Sequence, residues 1–250
     1  MTTRPRVLRL LGGLALGSAV ALAGVTPVTA ADDYGQDVAR RADFVAQTNF
    51  VQCVGASLQM MINMIEPGRD RSAREQLRLQ KLARKLSPPR RDGSIRQGAS
   101  VRGWVKVLQR EVDQPYRLVG ADSLNQAVKL AARAIDRTGA PVGLLVWRGR
   151  HAWVMSGFTS TRPMDAGGKV TSVTIYDPLY PFGSSIWGPS PRPGVPISVK
   201  ALGRQFVPRR TDNSRNNRFT TTLRQTYPTL SGKYVLVLPY VPHAPIRRPA

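Results

Sequence analysis

Apolar positions follow three regimes along the chain: one unbroken run at the start, helical spacing through the first half, and short dense runs after that. Once the opening run is past, Leu58, Met61, Ile62 and Ile65 recur at intervals of three and four, which predicts a helix from Cys53 to about Ile65, stopped by Pro67-Gly68. Ser72 to Leu86 reads as a second, very basic helix that offers Leu77, Leu79, Leu82 and Leu86 for packing, and Pro88-Pro89 ends it. Arg90 to Ala99 is polar and contains glycine, so it reads as a loop. Ser100 can cap a helix through about Val112 that turns Val101, Trp104, Val105 and Leu108 inward. Ser123 is placed to cap another, Leu124 to Arg137, closed by Gly139 and Pro141.

The period then changes. Val142 to Trp147 and Ala152 to Phe158 are short apolar runs that read as strands, with Gly149-Arg150 at the turn between them. Val170 to Tyr176 is a third strand, ending at Asp177-Pro178, and Tyr234 to Tyr240 a fourth. Thr159 to Thr171 reads as a polar hairpin tip. Leu179 to Pro196 is crowded with proline, glycine and aromatics and is expected to be irregular, and Ser198 to Phe206 to hold one short helix. Ala31 to Gln47 looks like an exposed approach segment, and the Pro-rich tail from Pro242 a loose end. No internal repeat is present. Helices first, then mostly antiparallel strands on hairpin-length connections, make an α+β class.

The opening run also has a meaning of its own. Arg4, Arg6 and Arg9 precede an apolar stretch from Leu10 to Gly24, and Val28-Thr29-Ala30 precedes Ala31. That is the order of a cleavable secretory signal, and its apolar part falls short of the ~20 residues of a membrane span. The expectation is a leader over 1–30, one domain over 31–241, a tail over 242–250, and a secreted or envelope-associated protein with no anchor after cleavage. The chain carries a formal charge of +22. Three leader arginines account for part of it, leaving roughly +19 on the mature chain. Such a balance attracts polyanions, outside a cell an anionic wall or surface polymer. No helix-turn-helix, zinc-finger or stacking-aromatic signature points to specific nucleic-acid recognition.

Cys53 is the single cysteine, so an internal disulfide is excluded, and an exported unpaired thiol is either inert in the core or reactive. At the start of a helix it meets unpaired N–H groups and the positive end of the dipole, which favour thiolate. A thiolate nucleophile needs an imidazole partner. The chain has two histidines; His243 lies in the Pro-rich tail, and His151 heads an apolar strand just after Gly149-Arg150. An imidazole needs an orienting acceptor, and Asp177 closes the next strand. Antiparallel pairing of those strands brings the two side chains to one end of the sheet. Gln47, six residues before Cys53, is placed to donate its amide beside the Cys53 N–H to a developing oxyanion.

Gln47 with Cys53, His151 in His-Ala-Trp-Val-Met-Ser-Gly, and Asp177-Pro after the following strand together resemble the papain-like cysteine peptidases of the double-glycine-leader, bacteriocin-processing type. The resemblance runs from Gln47 to about Pro178. It implies a papain-like fold, helical in its N-terminal half and packed on a mainly antiparallel sheet from the C-terminal half. It also implies Cys53 as nucleophile, His151 as base, Asp177 as orienter and Gln47 as oxyanion donor, acting on a peptide or protein substrate. Where that family commonly has Asp-Cys-Gly-Pro, this chain has Gln52-Cys53-Val54-Gly55.

Around this set, Gly149 would allow a tight approach to the strand, Trp153 is a candidate cleft wall or core residue, and Tyr180 and Trp187 are candidates to line a substrate groove. One cysteine and two distant histidines make no zinc-ligand set, and no phosphate loop or dinucleotide fingerprint occurs, so neither metal nor cofactor is expected. Three readings compete: a thiol hydrolase of peptide amides, an acyltransferase or transglutaminase using the same residues, and a non-catalytic peptide- or polyanion-binding protein on such a scaffold.

Overall fold

The computed structural model describes residues 33–66, 68, 70–89, 97–210 and 230–242. The leader over 1–30, most of the loop over 90–99, and the tail beyond 242 with His243 lie outside the described residues. In chain order the elements are β1 (Tyr34–Asp37), α1 (Cys53–Ile65), α2 (Ala73–Lys85), α3 (Val101–Glu111), β2 (Tyr116–Ala121), α4 (Leu124–Thr138), β3 (Val142–Val146), β4 (His151–Ser160), β5 (Val170–Tyr176), β6 (Gly183–Ser184), β7 (Gly188–Pro189), β8 (Pro196–Ser198), α5 (Val199–Gly203) and β9 (Tyr234–Pro239).

The local signals act where they were expected. Ser72, Ser100 and Ser123 each accept a backbone hydrogen bond three residues on, at 3.2, 3.1 and 3.2 Å, and so satisfy one of the orphan donors of a first helical turn. Gly139 closes α4. Ten of the thirteen α1 side chains, together with Gly55, are buried, so α1 is a central rather than a surface helix.

Among the described residues one seven-stranded sheet runs in the order β2-β9-β3-β4-β5-β8, with β1 on β4 off that path, and every pairing is antiparallel. Strand alternation divides its faces. Ala152, Val154, Tyr176 and Val237 pack with α1, α2 and α3, whereas Leu144, Trp153, Met155, Val173 and Ile175 pack with α4 and with Leu202 and Phe206 near α5. The mixed helix and antiparallel-sheet class thus holds, with two differences from the expected layout. The sheet draws β1 and β2 from the N-terminal half, and α4 covers the face opposite α1.

Both extra strands have tertiary causes. Tyr34–Asp37 carries no apolar alternation, but the second half of β4 runs past the end of β3 and leaves a ladder edge that β1 fills, Tyr34 facing Ser160 and Asp37 facing Gly157. β2 pairs along its whole length with β9, from the far end of the chain. The expected approach segment from Ala31 to Gln47 is therefore in part a strand. Leu179 to Pro196 is irregular apart from the two-residue pairing of β6 with β7. Among the described residues no helix is long and apolar enough to cross a membrane.

Candidate active site

The start of α1 and one end of the central strands meet. Continuing the β4–β5 register beyond Val154 and Tyr176 sets Asp177 opposite Trp153 and diagonal to His151, on the same face. His151 Nε2 lies 2.6 Å from Asp177 Oδ1, with both residues buried. Since Asp177 occupies Nε2, Nδ1 is the ring atom left to face the Cys53 thiol, which lies near enough to raise the His151 pKa. Cys53 itself is partly exposed at the first position of α1.

Asp177 is fully buried, a placement a carboxylate tolerates only with strong partners. It has three. Besides His151, the Leu179 N–H donates to Oδ1 at 2.8 Å and the Ser190 hydroxyl to Oδ2 at 2.5 Å. Burial by itself would lower the His151 pKa, but the Asp177 hydrogen bond, then the bond and charge of Cys53, and the Asp177 charge outweigh it and raise it to about 9. At neutral pH the imidazolium is the favoured form beside the thiol.

The loop before Cys53 is held by α2. Gln76, fully buried, accepts from the Thr48 N–H at 2.9 Å and donates to the Ala46 carbonyl at 2.9 Å. One turn on, Gln80 donates to the Val51 carbonyl and accepts from the Gly55 N–H, each at 2.9 Å. Two glutamines four residues apart share a helix face, so one face of α2 clamps both sides of the helix start. Gly55 makes the approach possible: a Cβ there would lie 2.9 Å from the Gln76 carbonyl oxygen and from Gln80 Cβ.

Gln47 sits in this clamped loop. Its backbone N–H donates to the Pro178 carbonyl at 2.7 Å, joining the Cys53 loop to the Asp177 turn. Its side-chain Nε2 donates to the Asn49 carbonyl at 2.9 Å, and its Oε1 is buried without a partner. One amide hydrogen is thus engaged within the loop and the other is uncommitted.

The expected flanking residues fare differently. Trp153 is a correction: on the same face of β4 as His151 and two residues further along, it is fully buried in the core with Leu144 and Met155 rather than lining a cleft. Tyr180 is half-buried with its ring edge-on to Phe44, and Trp187 is half-buried against the core. The exposed apolar side chains here are Phe50 and Val51, just before Cys53, and Phe182 and Ile186, after Asp177. Gly149 ends the tight turn between β3 and β4, at φ 94°.

That turn contains the residue that sequence reasoning missed. Trp147, placed in the β3 run by its apolarity, leaves the strand instead. Its ring stacks on His151 at a centroid distance of 4.2 Å and an interplanar angle of 20°. Trp147 and Arg148 both adopt left-handed backbone, φ 54° and 56°, a conformation that costs non-glycine residues roughly 1–3 kcal/mol each. A tryptophan closing an apolar run just before Gly149 was the available signal. Among the described residues no cluster of histidine, cysteine and carboxylates suits a metal ion.

No protein-family model matches the chain, and no curated protein matches its sequence. Among solved structures the chain is similar to one from Bacillus anthracis titled "putative C39-like peptidase", at 13% identity and a TM-score of 0.39, covering 80% of this chain and 94% of that one.

Proposed function

We propose that the protein is a papain-like thiol hydrolase of peptide amide bonds, with Cys53 as nucleophile, His151 as its acid–base partner and Asp177 as the group that orients His151. One observation carries the reading: a buried histidine binds a buried carboxylate through Nε2, and the thiol at the start of α1 is near enough to act on its pKa. A structural histidine needs one partner. Two, one of them the only thiol of the chain, match the needs of a nucleophile and its base.

In the proposed reaction the Cys53 thiolate attacks the peptide carbonyl carbon, and the carbonyl electron pair moves onto oxygen. The Cys53 N–H and the second Nε2 hydrogen of Gln47 are the donors for that oxyanion. As the tetrahedral species collapses, the C–N bond breaks and the His151 imidazolium gives its proton to the leaving amine. Water then attacks the acyl-enzyme, His151 takes its proton, and the C–S bond breaks to release the acid. An amine in place of water would make the same chemistry an acyl transfer. Phe50, Val51, Phe182 and Ile186 offer apolar contacts to a bound peptide. A cleavable leader over 1–30, as the sequence suggests, and the charge of +22 support a site of action outside the cell or at an anionic envelope.

The test is alkylation of Cys53 by iodoacetamide across pH, in wild type and His151→Ala. The expected result is rapid alkylation at pH 6 in the wild type, lost in the variant. An ordinary profile shared by both proteins would overturn the enzyme reading and leave a binding protein on this scaffold.

A further inference from the structure

We propose that Trp147 and Gln205 are positioning residues that fix the ring plane of His151, closing a circuit of contacts that reaches Asp177 by a second route. The circuit is continuous. From His151 it passes through the ring stack to Trp147, whose Nε1–H donates to Gln205 Oε1 at 2.9 Å. Gln205 Nε2 donates to the Pro189 carbonyl at 2.9 Å, and the next residue, Ser190, donates to Asp177 Oδ2. Asp177 then returns to His151 at 2.6 Å. All the side chains that carry these contacts are buried, Trp147 at 9% and Gln205 and Ser190 at 8% exposure being the most open.

Trp147 is held from two directions. Its backbone N–H donates to the Gln205 carbonyl at 3.0 Å while its indole bonds the Gln205 side chain, so a single residue fixes both the position and the rotation of the ring. Gln205 is itself immobilised, since its N–H donates to the Leu202 carbonyl and the fully buried Leu202 and Phe206 flank it in the core. This over-determination accounts for two consecutive non-glycine residues in left-handed backbone: unconstrained, the turn would relax and carry the indole off the imidazole. The stacked indole covers one face of the imidazole and limits rotation of the ring. A ring free to turn would break the Nε2–Asp177 bond and present the wrong atom to Cys53.

The inference rests on the proposed role of His151, but its test reads the ring directly. In the full chain, proton NMR gives the rate at which the His151 Nε2 proton exchanges with water, the signal being assigned by its loss in His151→Gln. Trp147→Phe keeps an aromatic ring and loses the indole donor, and Gln205→Met removes the acceptor. Each is expected to speed exchange about tenfold, the worth of one buried hydrogen bond. The double variant should be no faster than the faster single, because both cut the same bond. Gln205→Glu keeps an acceptor for the indole but loses the donor to the Pro189 carbonyl, so its exchange should lie between that of wild type and that of Gln205→Met. Exchange within twofold of wild type in both Trp147→Phe and Gln205→Met overturns the proposal, as does multiplication of the two effects in the double variant. Loss of the fold in both would assign the pair to stability alone and overturn it as well. If the ring loosens as expected while Cys53 alkylates as an ordinary thiol, the positioning circuit stands and the hydrolase reading fails.

Discussion

Replacing Asp177 with asparagine isolates the charge that holds the site together. Asparagine has nearly the same shape, and its Oδ1 can still accept from the Leu179 N–H and from His151 Nε2–H, while its Nδ2 can donate to the Ser190 hydroxyl. The packing around a fully buried position is therefore preserved and the negative charge removed. What changes is His151. Its rise from 6.5 to about 9 is a balance in which burial pushes down and Asp177 and Cys53 push up. At 1.36 kcal/mol per pH unit that rise is worth roughly 3 kcal/mol of preference for the imidazolium. Without the carboxylate charge, burial is opposed by Cys53 and a neutral amide alone, and the preference is largely lost. The rate of Cys53 alkylation at pH 7.5 should fall about tenfold, because His151 no longer holds its positive charge beside Cys53 at that pH. Stability follows with a definite sign. A histidine whose folded pKa is raised contributes stability that is fully present below pH 6.5 and is lost as pH rises through about 9. Urea unfolding of the wild type should weaken over that window by up to roughly 3 kcal/mol, and Asp177→Asn should show no such decline. Equal alkylation at pH 7.5 in the two proteins, with parallel stability curves, would refute the argument.

Two further outcomes test how the Cys53 loop is held. Gly55→Ala should destabilise the protein by about 1–3 kcal/mol in urea despite the better helix propensity of alanine, because its Cβ meets the Gln76 carbonyl oxygen, a backbone atom that cannot turn aside. Gln80→Leu leaves the Gly55 N–H without its acceptor and the Val51 carbonyl without its donor; it should cost about 2–4 kcal/mol in urea and slow Cys53 alkylation, whereas unchanged alkylation would separate the clamp from the site.

Some of the fold is legible in local sequence because its cause is local. A serine that caps a helix three residues ahead, a glycine that ends one, and apolar spacing that matches a turn act within a few residues, and Ser72, Ser100, Ser123 and Gly139 perform those roles in the structure. Cys53 at a helix start and His151 at a strand head are legible for the same reason, each standing where a period begins. The strand Tyr34–Asp37 was not, since its pairing depends on an edge supplied by residues 157–160 rather than on its own pattern. Trp147 was read as the last residue of a strand because apolarity does not distinguish a ring that enters the core from one that covers a histidine. Ser190 and Gln205 carry no signature; chain separations of 13 residues from Asp177 and 58 from Trp147 hide contacts that exist only after folding.

By itself, then, the sequence determined the candidate chemistry: one thiol, one histidine in a usable place, a carboxylate at the end of the next strand, and the order of helices before strands. Only the tertiary structure decided what each side chain meets, burying Trp153 in the core and laying Trp147 against His151. The reason is physical. A side chain's type and its place in a local period are properties of a few neighbouring residues, whereas the partner it meets across the sheet depends on register, turn geometry and packing summed over the whole chain.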